Sequence, residues 1–328
     1  MLTLPQPVLT QRNQPNFWTT RRSSRCRAAE TQGGSDWSMS ELTAATRRVQ
    51  ALEAYQQHMQ RPDGEIDLLE CSLLISQHAH PMLELETCRT QIAELAAGVR
   101  AQLPEQAYPM RIMQTISHHL FAQQGFRGNR QDYYSPENSY INCVLERRKG
   151  LPITLSLVYM EVAKQLGLSM RGVQLPAHFM IAPEDQDLEI LVDPFNGGEI
   201  CFVQDAEQRL GTIYGFPVRI DPAFVHSRAS KPTTRQFLVR LLSNLRLVYQ
   251  GLRMPEPLLA IIRYLRATQP ESTDNLRDEA LCLFSLERFR ESASALQDYL
   301  EREPSAKDRP KAETLLRQIF ERIDKAHG

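Results

Sequence analysis

The chain has almost no net charge. Its 38 Lys and Arg face 39 Asp and Glu, which leaves −1 and a pI near 6.7. With no excess of basic residues, a nucleic-acid partner is not expected. Long apolar runs are also missing. None approaches the ~18 residues of a membrane span, and a mean hydropathy of −0.40 is ordinary for a water-soluble chain, so no membrane association is expected. Cysteine is sparse and scattered. Cys26, Cys71, Cys88, Cys143, Cys201 and Cys282 form no CxxC pair and no zinc-finger spacing. They read as small buried hydrophobes in a reducing compartment. His78 and His80 end a helix with no carboxylate or cysteine at ligand spacing. No metal and no cofactor is therefore expected.

The first 38 residues differ from the rest. Up to Ala29 there are five arginines, interleaved with Ser and Thr, and no acid. Such a composition fits an organelle transit peptide, and it lacks the apolar stretch of a secretory signal. The other explanation is a start codon placed too early, with Met39 as the true start. With that start the chain is expected to be a cytoplasmic protein of bacterial type. With residues 1–38 retained as a leader, the chloroplast or another organelle is the alternative. The expected domains are a leader at 1–38, a core at 39–228 with a helical lead-in, and a helical unit at 229–328.

From Pro152 to Leu166 apolar residues fall on more than one helical face, and only Glu161, Lys164 and Gln165 mark a wet edge. This pattern predicts a helix buried on most sides. Pro152 suits its first turn and Gly167 its end. Ahead of it the pattern predicts helices at about 40–60, 67–80, 83–103, 108–124 and 140–148. Asn138 or Ser139 is the expected cap of the last of these. After it the period changes to two. Strands are expected at 170–175, 178–182, 188–193 and 199–203, joined by short turns and so antiparallel. Symmetric pairing about the loop after position 183 sets His178 directly opposite Asp193, on one face of the sheet.

From about Lys231 the chain is helical again. Pro270 and Pro304 lie 34 apart, and Asn244, Leu245 and Tyr249 sit at tetratricopeptide spacing. Met254-Pro255-Glu256-Pro257 breaks the usual turn between the helices of a unit. Only about two units and a last helix are present, too few to stand alone, so the segment is expected to pack on the core.

Specific residues then point to a family. Asn138-Ser139-Tyr140, Arg147-Arg148-x-Gly150-x-Pro152-Ile153, Leu155-Ser156-Leu157-x-Tyr159, His178-Phe179 and Asp193-Pro194-Phe195-Asn196-Gly197-Gly198 resemble the transglutaminase-like superfamily. Within it the chain is most similar to the SirB-type bacterial regulators, and a related core occurs in an F-box protein of animals. The resemblance covers roughly residues 41–325. It implies an α+β fold, a papain-like core with the central helix packed on a small antiparallel sheet and a tetratricopeptide-like tail. It also implies a Cys-His-Asp site in which a helix N-terminus and a His stabilise the thiolate and the Asp orients the His. His178 and Asp193 match the His and the Asp. The cysteine position is Pro152, which cannot act as a nucleophile. Asn138, Tyr140, Arg148, Gly150 and Asn196 are expected to support the cleft. The expected function is a non-catalytic interaction or regulatory protein that holds a protein or peptide partner. The alternative is a peptidase, amide hydrolase or acyltransferase using His178 and Asp193 with a hydroxyl, Thr154 being the nearest substitute. Cys143 is a more distant one. A third reading, a proteolysis adaptor, follows the F-box relative by fold analogy.

Overall fold

A computed structural model describes residues 39–175, 178–184, 190–217, 219 and 230–325. The leader at 1–38 lies outside the described residues. The elements in order are α1 (Met39–His58), α2 (Leu68–Ala79), α3 (Leu85–Arg100), α4 (Pro109–Ser117), β1 (Arg127–Gly128), α5 (Ile141–Arg147), β2 (Lys149–Gly150) and α6 (Pro152–Gln165). Then come β3 (Met170–Leu175), β4 (His178–Pro183), β5 (Ile190–Asp193), β6 (Glu199–Phe202) and α7 (Val203–Tyr214). The chain closes with α8 (Thr234–Leu252), α9 (Pro255–Thr268), α10 (Thr273–Ser285), α11 (Phe289–Arg302) and α12 (Arg309–Lys325).

The central helix is α6, and ten of its fourteen residues are buried. Pro152 is its first residue, where a missing N–H costs nothing. Gly167 follows its end at φ +78°, a conformation glycine adopts without strain. One face of α6 packs on the sheet, which is a four-stranded antiparallel meander in the order β3-β4-β5-β6. Alternation sorts the strand residues. Phe179, Ile181, Ile190 and Val192 join the main core with α6. Val173, Leu175, Met180, Ala182, Leu191 and Cys201 form a second cluster on the other face, closed by Val203 and Ala206 of α7. The strand period placed β3 to β6 but gave no sign of α7, whose start was read as the end of the last strand.

Asn138 and Ser139 do not cap α5. The cap is Tyr140, with no side-chain bond, and the first free amide, Ile141 N–H, is taken by Ser76 Oγ of α2 at 3.0 Å. A distant serine thus does what a local residue was expected to do.

The tail is joined to the lead-in. Asp63, in the turn between α1 and α2, caps α8 by accepting Thr234 N–H and Arg235 N–H, each at 2.9 Å. Arg235 reaches back to the carbonyls of Met59 and Arg61. Tyr55 of α1 and Thr268 of α9 share a buried hydroxyl bond of 2.7 Å. Arg253, in the left-handed region at φ +56°, turns the chain from α8 into α9, and Pro255 begins the new helix. The inter-helix turn is thus made by Arg253 and Met254, and Pro255–Pro257 form the first turn of α9.

Candidate functional site

His178 and Asp193 meet. The imidazole Nε2 donates to Asp193 Oδ2 at 2.9 Å. An ionised carboxylate can only accept, so the proton sits on Nε2. The pairing register differs from the expected one by two residues. Ile181 pairs with Val192, which sets Met180, not His178, opposite Asp193. A shift of two keeps every side chain on its face. The contact therefore survives as a diagonal one, and the ring of Phe195 lies beside the imidazole, 6.5 Å between centroids.

Asp193 is fully buried. Its Oδ2 also accepts Asn196 Nδ2 at 2.6 Å, and its Oδ1 accepts the backbone N–H groups of Phe195 and Asn196 at 3.1 and 3.2 Å. Burial pushes the carboxyl up. The hydrogen bond and charge of His178, with the two bonds from Asn196, outweigh it and hold the group below the ordinary carboxylate value. Pro194 starts a short turn that Asp193 caps, so the Asp193–Asn196 run builds its own support.

The N-terminus of α6 is equally closed. Pro152 is buried. Thr154 Oγ accepts Leu151 N–H at 2.9 Å and donates to Asn138 O at 2.8 Å. Its hydroxyl proton is already used, and the group is fully buried. Thr154 thus caps the start of α6. Replacing Thr154 with Val leaves Leu151 N–H and Asn138 O only their long bond to each other, 3.4 Å, and should cost about 1–2 kcal/mol in urea unfolding. Gly150 pairs with Gly128 across the β1–β2 ladder, and a Cβ there would lie 2.7 Å from Thr154 Oγ. The absence of a Cβ at Gly150 lets the Thr154 hydroxyl lie this close to the backbone.

The remaining expected residues divide. Asn138 is buried and ties the 129–134 loop: Nδ2 donates to the carbonyls of Asp132 and Tyr133, and Oδ1 accepts from Asn129. Arg148 stands at φ +58°, stacks on Phe126 at 4.8 Å and bonds Gln124. Tyr140 serves another junction, sharing a 2.7 Å hydroxyl bond with Tyr249 of α8. Cys143 is near His80, Sγ to Nε2 3.4 Å. Burial, with Glu137 nearby, pushes its thiol up to about 11, so it stays protonated at neutral pH. His78 turns instead to Arg48 O at 3.2 Å, and burial lowers its pKa to about 4. Among the described residues no group of three or more His, Cys, Asp or Glu is placed to hold a metal ion.

Residues that the sequence left unassigned complete the mouth of the site. Phe195 is its centre. Tyr133 meets that ring edge-on, 6.1 Å between centroids, and its own ring is met by Tyr134 at 5.4 Å, while Arg130 lies over Phe195 at 5.3 Å and bonds Asn196 Oδ1. Gly128 makes room for it, since a Cβ there would stand 2.5 Å from the Phe195 ring. Arg240 comes from α8, donates to His178 O at 3.1 Å and stacks on Phe179 at 5.1 Å. Tyr133 and Tyr134 are adjacent in the sequence, an aromatic pair that local reading can find. Nothing local in the sequence ties Arg240, 62 residues away, to His178.

Comparison with known proteins places the chain in a family. Residues 86–243 match the model of the transglutaminase-like superfamily, and residues 245–317 match that of the tetratricopeptide repeat. A UPF0162 protein of Xylella fastidiosa (strain 9a5c) is 31% identical over 244 residues, 74% of this chain and 86% of the relative. A UPF0162 protein of Pseudomonas aeruginosa is 26% identical over 194 residues, 59% of this chain and 68% of the relative. F-box only protein 21 of Mus musculus is 29% identical over 195 residues, 50% of this chain and 31% of that protein. No solved structure matches. Among the described residues no helix is long and apolar enough to cross a membrane. A transglutaminase-like match followed by a tetratricopeptide match, with a relative 31% identical over most of its length, places the chain in the UPF0162 family, SirB-type transglutaminase-like proteins with C-terminal tetratricopeptide helices.

Proposed function

We propose that the chain is a non-catalytic transglutaminase-like protein that holds a protein or peptide partner. The partner would bind at the mouth around Phe195 and along the tetratricopeptide helices. One observation carries this reading. The His178–Asp193 pair is intact, while the position two residues after Gly150 is Pro152, a buried proline. An acyl-transfer site needs a nucleophile beside its base. The nearest hydroxyl, Thr154, spends its proton on Asn138 O. In this reading residues 39–228 carry the cleft and residues 229–328 the helical tail.

The test is covalent labelling of the full chain with fluorophosphonate and iodoacetamide probes, mapped by mass spectrometry. The wild type should show no label that depends on His178. Pro152→Cys should gain iodoacetamide reactivity at position 152, because a helix N-terminus favours a thiolate and, in this reading, His178 would serve as its base. That gain should vanish when His178→Ala is added. Wild-type label on Thr154, Ser156 or Cys143 that disappears with His178→Ala would overturn the reading in favour of an enzyme.

A further inference from the structure

Among the described residues, the arginine at the mouth of the cleft, Arg130, has no carboxylate partner. Asp193 is the cleft's inner carboxylate, but it is fully buried and accepts four hydrogen bonds from His178, Phe195 and Asn196. It presents no negative charge outward. Arg130 is exposed and makes no ion pair among the described residues. Its polar partner is the neutral amide oxygen of Asn196, and its face rests on Phe195. A guanidinium has five N–H donors, so most of its fork is open to solvent. Arg240 lies nearby, bonded to His178 O and stacked on Phe179. Asp132 is the one acid in the 129–134 loop, and it forms no ion pair with Arg130. Tyr133 and Tyr134, 40% and 53% exposed, offer aromatic faces next to these cations.

We propose that this mouth is a docking site for an extended peptide segment with an acidic side chain. Its carboxylate forks onto Arg130 and its neighbouring residues lie on Tyr133 and Tyr134. Charge complementarity selects the occupant: a planar guanidinium with open donors matches a carboxylate in two bonds. The aromatic pair supplies contact area at low entropic cost, as tyrosines do in other binding surfaces. The proposal deepens the partner-binding reading above and rests on it.

The test is affinity selection of C-terminally amidated peptide libraries on the immobilised full chain. One library carries a fixed central Glu between randomised positions, a second carries Gln there, and a third is the Gln library with free C-terminal carboxylates. The Glu library should be enriched over the Gln library, and its best members should bind about tenfold tighter than their Gln counterparts. Arg130→Gln should remove that preference and Arg130→Glu should reverse it. Arg130 is exposed, so folding is not at stake. Equal enrichment of Glu and Gln peptides, lost in Tyr133→Ala, would overturn the acidic ligand and leave the partner-binding reading standing. Enrichment of the free-carboxylate library alone would reassign the ligand to a chain terminus and overturn the side-chain proposal. A Glu preference that survives in Arg130→Gln would place the carboxylate elsewhere and also overturn it. No enrichment of any library would overturn both the proposal and peptide binding at the cleft.

Discussion

Asp193→Ala is expected to destabilise the fold by about 3–5 kcal/mol, because it removes the one partner of several buried donors. The side chain lies at 0% exposure and accepts from His178 Nε2, Asn196 Nδ2 and two backbone amides. Alanine would leave the Phe195 and Asn196 amides unpaired and uncap the turn they start. Urea unfolding at neutral pH measures the loss, and a change below about 1 kcal/mol would contradict the geometry. The effect should depend on pH. The folded carboxyl lies below its ordinary value of 3.8. Its contribution is therefore complete above that value and fades as pH falls through the lower folded one. The wild type and Asp193→Ala should converge in stability at strongly acid pH. Asp193→Asn is a milder change in shape and separates two roles. An amide offers one oxygen where the carboxylate offers two, so either the turn amides or His178 must lose an acceptor. If the oxygen keeps the turn, the amide nitrogen faces His178, and the imidazole proton should move to Nδ1. Nitrogen NMR of the ring reads that tautomer directly.

This behaviour shows what the sequence could reveal. Alternation alone placed His178 and Asp193 on one face, and the two-residue difference in register left that face unchanged, since strand side chains repeat every two residues. A difference of one would have separated them. The buried helix was also legible, because its apolar residues leave room for only a narrow wet edge. Other features depend on contacts that no local pattern carries. Arg240 reaches His178 from a helix far along the chain. Ser76 caps α5 from a different helix, and Tyr140 looks from its motif like a cleft residue but bonds Tyr249 of the tail. Helix α7 was missed because its first residue, Val203, continued the strand alternation. The helix then closes the sheet's second face through Val203 and Ala206.

Tyr264→Ala should be the most damaging change in the tail, at about 3–5 kcal/mol, as for other large-to-small changes of buried aromatics. Tyr264 is fully buried in α9. Its ring meets Tyr55 of α1 edge-on at 4.7 Å and His78 of α2 at 5.4 Å, and its hydroxyl donates to Leu74 O. All of these partners lie before residue 80, so the cost falls on the junction between the lead-in and the tail. Two tetratricopeptide-like pairs and a last helix are too few to stand alone. The α1–α2 pair packs against α8–α9 and supplies the missing neighbour. It follows that Tyr264→Ala should weaken α1, α2, α8 and α9 together. Hydrogen exchange should report a common loss of protection in these four helices, and urea unfolding a single transition. Protection kept in α1–α2 while α8–α9 open would mean that the lead-in belongs to the core alone. Common loss would mean that the tail is held from both ends of the chain, with α8 linking it to the cleft through Arg240. A partner pulling on the tail would then act on the wall beside His178.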